Sequence, residues 1–209
     1  MKVIIFGLNE CAELAKFYLE NDSEFTPHAF TVNGEFVKEE SLNGLPVIPY
    51  EEIDQTSFST DDYKFFAPLY DNSQRKKTYL DIKSKSYDFI SYVSSKATCW
   101  SDVGENCFIM EDNTIQPFVQ IGNNVILWSG NHVGHHSVIG DHSFISSHVV
   151  ISGNCSLGEE CWLGVNSSIK DNLTLANGTF LAMSSCLVSN TKSYTKYKGS
   201  PAKPYGDNR

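Results

Sequence analysis

One side-chain pattern in the second half of the chain constrains the fold more than any other feature. Every sixth residue from Val103 to Leu187 is valine, isoleucine or leucine, in an unbroken run of fifteen positions. Glycine often follows this aliphatic residue, and the side chain four positions after it is mostly small. A helix cannot bring residues six apart to one face, and a flat strand would repeat every two residues. The pattern therefore predicts a β-helix solenoid of roughly five triangular coils, with the aliphatic side chains inside.

Residues 1–95 have a different pattern, in which short apolar runs alternate with helical stretches. The runs predict strands at 2–6, 27–32, 45–48, 63–67 and 89–93, with helices after Asn9 and over 71–84. Strands that alternate with helices indicate a parallel sheet, and ligands of such sheets bind outside the carboxyl ends of the strands. We therefore predict a small Rossmann-like α/β domain at 1–95 and an all-β domain at 96–209.

Composition and charge argue against several classes of protein. The 209 residues are 41% apolar and 20% charged, which is typical of a globular protein. A formal net charge of -9 argues against binding nucleic acid or anionic membranes through bulk charge. No apolar run is long enough to span a membrane, and the N-terminus does not resemble a signal peptide. The six cysteines match no zinc framework, so we expect reduced thiols in a cytoplasmic protein.

The first predicted turn, Gly7-Leu8-Asn9-Glu10-Cys11-Ala12, has only the first glycine of the dinucleotide fingerprint G-x-G-x-x-G. Glu10 would place a negative charge where a pyrophosphate approaches, although a helix N-terminus otherwise favours anions. This argues against a hydride-transfer enzyme. The turn is compatible with a nucleotide-sugar site and equally with a plain connection from strand to helix.

Several short motifs along the solenoid narrow the interpretation. They are the stretch 135–141 (HHSVIGD), the stretch 152–154 (SGN), the stretch 163–166 (LGVN) and the terminal stretch 199–203 (GSPAK). Together with the repeat and the α/β domain before it, they resemble the bacterial sugar acetyltransferases. That family includes sialic acid O-acetyltransferases and nucleotide-4-amino-sugar N-acetyltransferases. The resemblance implies a left-handed parallel β-helix that acts as a homotrimer, with acetyl-CoA as cosubstrate.

The resemblance also implies roles for particular residues. His135 would be the catalytic base, His136 stands where the family has an acidic residue, and the backbone N–H of Gly153 would bind the oxyanion. The residues that would hold acetyl-CoA are Phe144, Gly164, Val165, Met183 and Lys203. The residues that would face the nucleotide-sugar are Gly7, Asn9, Glu10, Cys11, Asn33 and Tyr70.

The chemistry of acetyl transfer agrees with a histidine base, because imidazole titrates near neutrality. A neutral His136 cannot raise the basicity of His135 as a carboxylate would. Asp141, Glu111 or Asp112 could substitute if the fold or a neighbouring subunit brings one of them close. The missing acid matters less for an amine than for an alcohol. We therefore expect N-acetylation of a nucleotide-linked amino sugar by direct transfer, in surface-glycan assembly, with sugar O-acetylation as the alternative.

Five of the six histidines lie between residues 132 and 148, which raises the question of a metal site. His136, His142 and His148 are six residues apart, so they point in three directions and one chain cannot gather them around one ion. We therefore expect no metal. Two alternatives stay open: a zinc site shared between subunits, as in β-helical carbonic anhydrases, and a non-catalytic solenoid that binds sugars.

Overall fold

The structure, a computed structural model, describes residues 1–55 and 58–208. Within it the chain forms two compact units, Met1–Tyr92 and the part that begins at Val93. None of the helices among the described residues combines the length and apolar character needed to cross a bilayer.

The first unit is a parallel sheet with helices in its connections. It contains strands β1 (Lys2–Phe6), β2 (Thr26–Val32), β3 (Ser41–Leu42), β4 (Leu45–Pro49) and β5 (Tyr63–Phe66), helices α1 (Glu10–Asn21) and α2 (Asn72–Ser84), and 3-10 helices Gly34–Phe36 and Tyr50–Gln55. The sheet order is β3-β4-β2-β1-β5, and all pairs are parallel except the β3–β4 hairpin. The strand order therefore reverses at β1, which is the place where sheets of this kind bind ligands.

Both helices begin where the sequence predicts. The side chain of Asn9 accepts a hydrogen bond from the Ala12 N–H at 3.2 Å, and Asp71 accepts one from the Gln74 N–H at 2.8 Å. Each cap satisfies a backbone donor that the first helical turn leaves open. The two N-caps therefore fix the points at which α1 begins after β1 and α2 begins after the loop that follows β5.

The strand predicted over 89–93 is wrong. Phe89 makes a single parallel bridge to Phe65, and only Tyr92–Val93 (β6) forms a short strand. The backbone then changes partner, because the N–H of Ser94 donates to the Ile109 carbonyl at 2.9 Å. The apolar run is thus divided between two different sheets.

The second unit is a solenoid of two-residue strands closed by a hairpin. The strands are β7 (Thr98–Cys99), β8 (Phe108–Ile109), β9 (Thr114–Ile115), β10 (Gln120–Ile121), β11 (Ile126–Leu127), β12 (His132–Val133), β13 (Val138–Ile139), β14 (Phe144–Ile145), β15 (Val150–Ile151), β16 (Ser156–Leu157), β17 (Trp162–Leu163), β18 (Ser168–Ile169), β19 (Thr174–Leu175), β20 (Phe180–Leu181) and β21 (Cys186–Leu187), followed by β22 (Thr195–Gly199) and β23 (Ala202–Asp207). Pairing is parallel between strands eighteen residues apart, as in Ile145 with Leu163, so three hexapeptides form one coil. Three flat sheets result, and they form the three sides of each coil.

The predicted aliphatic column forms the core. The second residue of each short strand from β8 to β21 is buried, and these side chains stack on one another from coil to coil. Tyr197 and Ala202 of the terminal hairpin are part of the same cluster. The aliphatic positions of the repeat therefore supply the apolar burial that stabilises the solenoid.

Each side of the coil ends in a residue with left-handed backbone. Positive φ values recur at six-residue intervals, for example 58° at His136, 62° at His142 and 58° at His148. Asparagine tolerates this conformation better than most residues and occupies several of these places. The histidines therefore lie at three different corners, as predicted, and each is stacked on the residues eighteen positions away.

Candidate active site

The predicted base lies at one corner of the solenoid. This corner, which we call the His135 corner, consists of residues 117–118, 135–136, 153–154 and 171–172. The backbone N–H of His135 donates to Oε1 of Gln116 at 2.8 Å, which fixes the chain at the turn. Its side chain is exposed, and its Nδ1 lies 3.1 Å from Nδ1 of His136. The two rings are nearly perpendicular, at 85°.

Gly153 lies directly against the His135 ring. A Cβ atom added at Gly153 would be 2.8 Å from Cε1 and 2.9 Å from Nε2 of His135. Within residues 1–55 and 58–208 the N–H of Gly153 donates to no other group, whereas its carbonyl accepts from Asn172 at 3.1 Å. The fold therefore brings an imidazole nitrogen and an open backbone donor together, which is the combination that acyl transfer needs.

None of the acidic side chains considered for His135 reaches it within one chain. Asp141 accepts a hydrogen bond from the Asn123 N–H at 2.8 Å, at a second corner. Glu111 accepts one from the Ser129 hydroxyl at 2.9 Å, at the third corner, where Asp112 also lies. Since the corners are separated by whole sides of the coil, His136 is the polar side chain that contacts His135.

Three of the residues predicted to hold acetyl-CoA lie together at the third corner. This corner, which we call the Val165 corner, consists of residues 111–112, 129–130, 147–148, 165–166 and 183–184. Val165 is 36% exposed and Met183 is 67% exposed, one coil apart. Gly164 permits their close stacking, because a Cβ there would be 2.5 Å from the Met183 nitrogen. An exposed apolar ridge results, which suits the apolar part of a pantetheine arm.

Phe144, another residue predicted to hold acetyl-CoA, has a side chain that is only 5% exposed within one chain. Its role in binding acetyl-CoA stays a prediction. The ring stacks on Trp162 at 5.8 Å between centroids, and Trp162 stacks on Phe180 at 4.7 Å. Phe144 is therefore the first of three stacked aromatic rings on the side of the coil that leads to the Val165 corner. Lys203 is exposed in the terminal hairpin, paired with Lys198.

One chain does not bring the base and the cofactor residues together. His135 and Gly153 lie at one corner, whereas Gly164, Val165 and Met183 lie at another, with one sheet between them. Spacing along the repeat could have revealed this separation, because 135 and 165 differ by thirty residues, which is not a multiple of eighteen.

The first unit contains a cavity of about 920 Å³ at the carboxyl ends of β1 and β2. Three of the predicted substrate residues line it, namely Gly7, Asn9 and Asn33. Its size and position are those of a ligand site in a sheet of this kind.

Three other predicted substrate residues, Glu10, Cys11 and Tyr70, lie outside that lining. Cys11 is fully buried, and burial raises the pKa of its thiol to about 12. Burial, followed by the nearby Cys11, likewise raises the pKa of Tyr70 to about 12. Cys11 and Tyr70 thus form a neutral pair with each other, and Cys11 supports the turn from beneath.

Sequence reasoning missed the contribution of α2 to the cavity. The cavity is also lined by Gln74, Lys77, Thr78, Asp81 and Lys85. The buried guanidinium of Arg75 donates to the carbonyls of Leu69 at 2.6 Å and Tyr70 at 3.2 Å, which fixes the loop after β5. The position of α2 in the chain could have indicated this contribution. The helix follows β5, which is parallel to β1, so their carboxyl ends lie at the same edge of the sheet. A lysine-rich helix by itself suggests only a solvated face.

No group of three or more histidine, cysteine, aspartate or glutamate side chains that could hold a metal ion occurs among the described residues of this single chain.

Comparison with known proteins supports the fold. Residues 101–135 and 119–153 match the family model described as bacterial transferase hexapeptide (six repeats). Among curated proteins, none matches the chain significantly in sequence. Solved structures match over nearly the whole chain. The acetyltransferase domain of PglB from Neisseria gonorrhoeae is 19% identical, with a TM-score of 0.85, and the match covers 98% of this chain and 99% of that one.

Two further structures match over similar lengths. PerB from Caulobacter crescentus, solved in complex with CoA and GDP-perosamine, is 20% identical, with a TM-score of 0.87 and coverage of 99% and 98%. WeeI from Acinetobacter baumannii is 17% identical, with a TM-score of 0.64 and coverage of 98% and 100%.

The protein thus has the fold of the hexapeptide-repeat transferases. More particularly, it combines an N-terminal α/β region with a left-handed β-helix, as the sugar acetyltransferases do, and the predicted resemblance to them is confirmed at the level of the fold.

Proposed function

We propose that this protein is an acetyl-CoA-dependent N-acetyltransferase that acts on a nucleotide-linked amino sugar, of the 4-amino-4,6-dideoxy type, in surface-glycan biosynthesis. The observation that carries the proposal is the contact between the His135 imidazole and the Gly153 backbone. The matched structures support the reaction class, since PglB is described as an acetyltransferase domain and PerB was solved with CoA and GDP-perosamine.

The reaction proceeds by direct transfer. The sugar amine attacks the thioester carbonyl of acetyl-CoA, so that a C–N bond forms and the carbonyl oxygen becomes an oxyanion. The open N–H of Gly153 donates a hydrogen bond to that oxygen. His135 takes the proton that the amine nitrogen loses. The intermediate then collapses, the C–S bond breaks, and the CoA thiolate leaves and takes up the proton from the imidazolium.

A thiol nucleophile on the enzyme is not needed. Cys155 and Cys161 are buried inside the solenoid, and burial raises the pKa of the Cys161 thiol to about 12. A protonated thiol inside a packed core cannot attack a thioester. An acyl-enzyme on either cysteine is therefore excluded on physical grounds.

A second copy of the chain completes the site. Because His135 and Gly153 lie one corner away from Val165 and Met183, one molecule of acetyl-CoA meets both sets when two β-helices lie side by side. The exposed apolar ridge at the Val165 corner favours such a contact. The proposed assembly is a homotrimer, in which three equivalent sites form by rotation.

The nucleotide end of the substrate is assigned to the cavity of the first unit. Gly7, Asn9 and Asn33 supply backbone and amide groups there, and Lys77 supplies a cation for phosphate. Such a cavity of about 920 Å³ is large enough for a nucleoside diphosphate.

An amine acceptor is preferred to a hydroxyl acceptor because the base lacks a carboxylate partner in its own chain. An alcohol keeps its proton until a strong base removes it, whereas a neutral amine attacks first and loses its proton afterwards. Sugar O-acetylation is the second candidate, and it requires a carboxylate from a neighbouring copy to reach His135.

The test is a CoA-release assay with acetyl-CoA against UDP-, dTDP- and GDP-linked 4-amino sugars and sialic acid. Wild type is compared with His135→Ala and with the control His28→Gln, since His28 lies near the start of β2, away from the cavity. Turnover of one amino sugar that is lost in His135→Ala and kept in His28→Gln supports the proposal. Turnover of sialic acid alone moves the reaction to O-acetylation. No turnover, together with zinc in the purified protein, refutes the proposal and favours the alternative of a zinc site shared between subunits.

A further inference from the structure

The two adjacent histidines at the His135 corner form a hydrogen-bonded pair that has a consequence for the base. Their Nδ1 atoms are 3.1 Å apart, within hydrogen-bond distance. Two imidazole nitrogens can share a hydrogen bond only if one carries the proton and the other presents its lone pair. Both Nδ1 atoms cannot be protonated at this distance, because two donors would then face each other.

The position of the second nitrogen of His135 decides which arrangement serves catalysis. A Cβ atom built at Gly153 would be 2.9 Å from Nε2 and 3.3 Å from Nδ1, so Nε2 is the ring nitrogen nearer to that position. Since Nδ1 is engaged with His136, Nε2 is the nitrogen that is available to the substrate. For Nε2 to accept a proton from the substrate, the resting ring must carry its proton on Nδ1. His135 is then the donor of the shared hydrogen bond and His136 is the acceptor.

We infer that His136, as a neutral imidazole, is the positioning residue for His135: it accepts the Nδ1–H and so holds the Nε2 lone pair toward the reaction centre. This inference rests on the proposed function for its catalytic meaning. When His135 takes up a proton at Nε2, both of its nitrogens become donors, and the hydrogen bond to His136 becomes charge-assisted. The neutral His136 thus stabilises the imidazolium of His135, although His136 itself carries no charge.

The backbone and a neighbouring ring hold His136 in place. Its φ of 58° fixes the direction of its side chain at the corner. The Phe118 ring, one coil away, packs against the His136 ring at 4.7 Å between centroids and 37° between planes. Such support restricts the rotation of an otherwise exposed imidazole, so His136 can present one nitrogen steadily to its neighbour.

The other groups that face the pair do not titrate near neutral pH. Gln116 contributes an amide oxygen, Phe118 a ring and Gly153 its backbone. The nearest acidic residue of this corner along the solenoid is Asp171, two coils from His135, and it accepts a hydrogen bond from Asn172. Among these groups, the hydrogen bond of His135 Nδ1 is therefore made with His136.

A carboxylate at position 136 would also accept the Nδ1–H of His135 and would add a negative charge beside the ring. Asparagine also accepts through its side-chain oxygen, tolerates positive φ and does not titrate, so His136→Asn keeps most of the activity.

Removal of the hydrogen-bond acceptor at position 136 is expected to lower kcat. His136→Gly suits the left-handed backbone and leaves His135 Nδ1 without a partner. We expect kcat to fall by about 10- to 100-fold with little change in KM, because His136 orients the base and does not bind substrate. Equal kcat values in wild type and His136→Gly, with the variant folded by circular dichroism, would overturn the inference.

A measurement without turnover separates this inference from the proposed function. Long-range ¹H–¹⁵N NMR of the full chain reports which nitrogen of each imidazole carries the proton, and His135→Ala assigns the signals. We expect His135 to carry its proton on Nδ1 near pH 7.5 in wild type and in His136→Asn, and to lose this preference in His136→Gly. A proton on Nε2 of His135 in wild type overturns the inference. The expected tautomers without acetyl transfer to any acceptor would leave the pair intact and refute the proposed function instead.

Discussion

A methyl group added at Gly153 tests whether the contact with His135 matters. Gly153 lies outside the left-handed region, so alanine is compatible with its backbone. The new Cβ would lie 2.8 Å from His135 Cε1. To restore an ordinary contact of about 3.5 Å, the imidazole has to move by roughly 0.7 Å. Because His135 is exposed, its ring can move toward solvent without disturbing the core.

The expected effect is on catalysis and not on stability. A displacement approaching about 1 Å at a reacting group can cost up to roughly 100-fold in rate. That factor corresponds to about 2.7 kcal/mol of activation free energy. The free energy of unfolding should change by no more than about 0.5 kcal/mol, as for other surface substitutions. The measurements are kcat in the CoA-release assay and urea unfolding of the same preparation.

Gly140→Ala is the matched control, because the same methyl group there meets backbone at another corner of the coil. Its Cβ would be 2.5 Å from the Gly158 carbonyl carbon and 2.7 Å from the Gly158 carbonyl oxygen. Neither atom can move without separating two coils, so we expect a loss of about 1–3 kcal/mol in stability. A folded Gly153→Ala variant with kcat within about twofold of wild type would refute the reasoning that the ring position matters.

Three further predictions concern stability, each measured by urea unfolding. Ile145→Ala, in the middle of the aliphatic column, should lower the free energy of unfolding by about 2–5 kcal/mol, and a change below about 1 kcal/mol would contradict a packed interior there. Asn124→Gly keeps a residue suited to the positive φ but breaks the buried chain in which Asn106 donates to Asn124 (2.7 Å) and Asn124 pairs with His142 (2.7 Å). Asn124→Gly should lower the free energy of unfolding by about 1–3 kcal/mol. An unchanged free energy of unfolding would mean that water replaces the amide. Burial raises the thiol pKa of Cys161 from 9.0 to about 12, so the folded state keeps a proton that the unfolded state loses, and stability should fall as pH rises from 9 toward 12. Cys161→Ala should reduce that fall relative to wild type, and an unchanged pH dependence would exclude this thiol as its source.

The aliphatic repeat and the helix caps were predictable because they depend on local rules. A side chain at every sixth position can be buried only if the backbone turns after each hexapeptide, so periodicity alone indicates the coil. Asn9 and Asp71 are residues whose side chains accept from the N–H groups of a first helical turn. The run at 89–93 misled the prediction because apolar content does not tell which sheet the backbone pairs with.

The candidate site was predicted less completely. His135 and Gly153 are eighteen residues apart, so one turn of the coil brings them together, and the repeat implies their contact. The burial of Phe144 and Cys11 depends on what packs over them, and neither periodicity nor motif shows that. The contribution of Lys77 to the cavity was missed because exposed lysines are ordinary on helices. Only the presence of the cavity distinguishes Lys77 from a solvated lysine.

The solenoid, the parallel sheet before it and the residues stacked at each corner follow from period, alternation and capping, which are properties of the amino-acid sequence. The orientation of the groups at each corner depends instead on how the coils pack on one another. The hydrogen bond between His135 and His136, and the approach of the His135 ring to Gly153, depend on side-chain torsions and on a left-handed backbone at residue 136. Those torsions are set by contacts between coils, such as that of Phe118 with His136, which join residues eighteen positions apart in the chain.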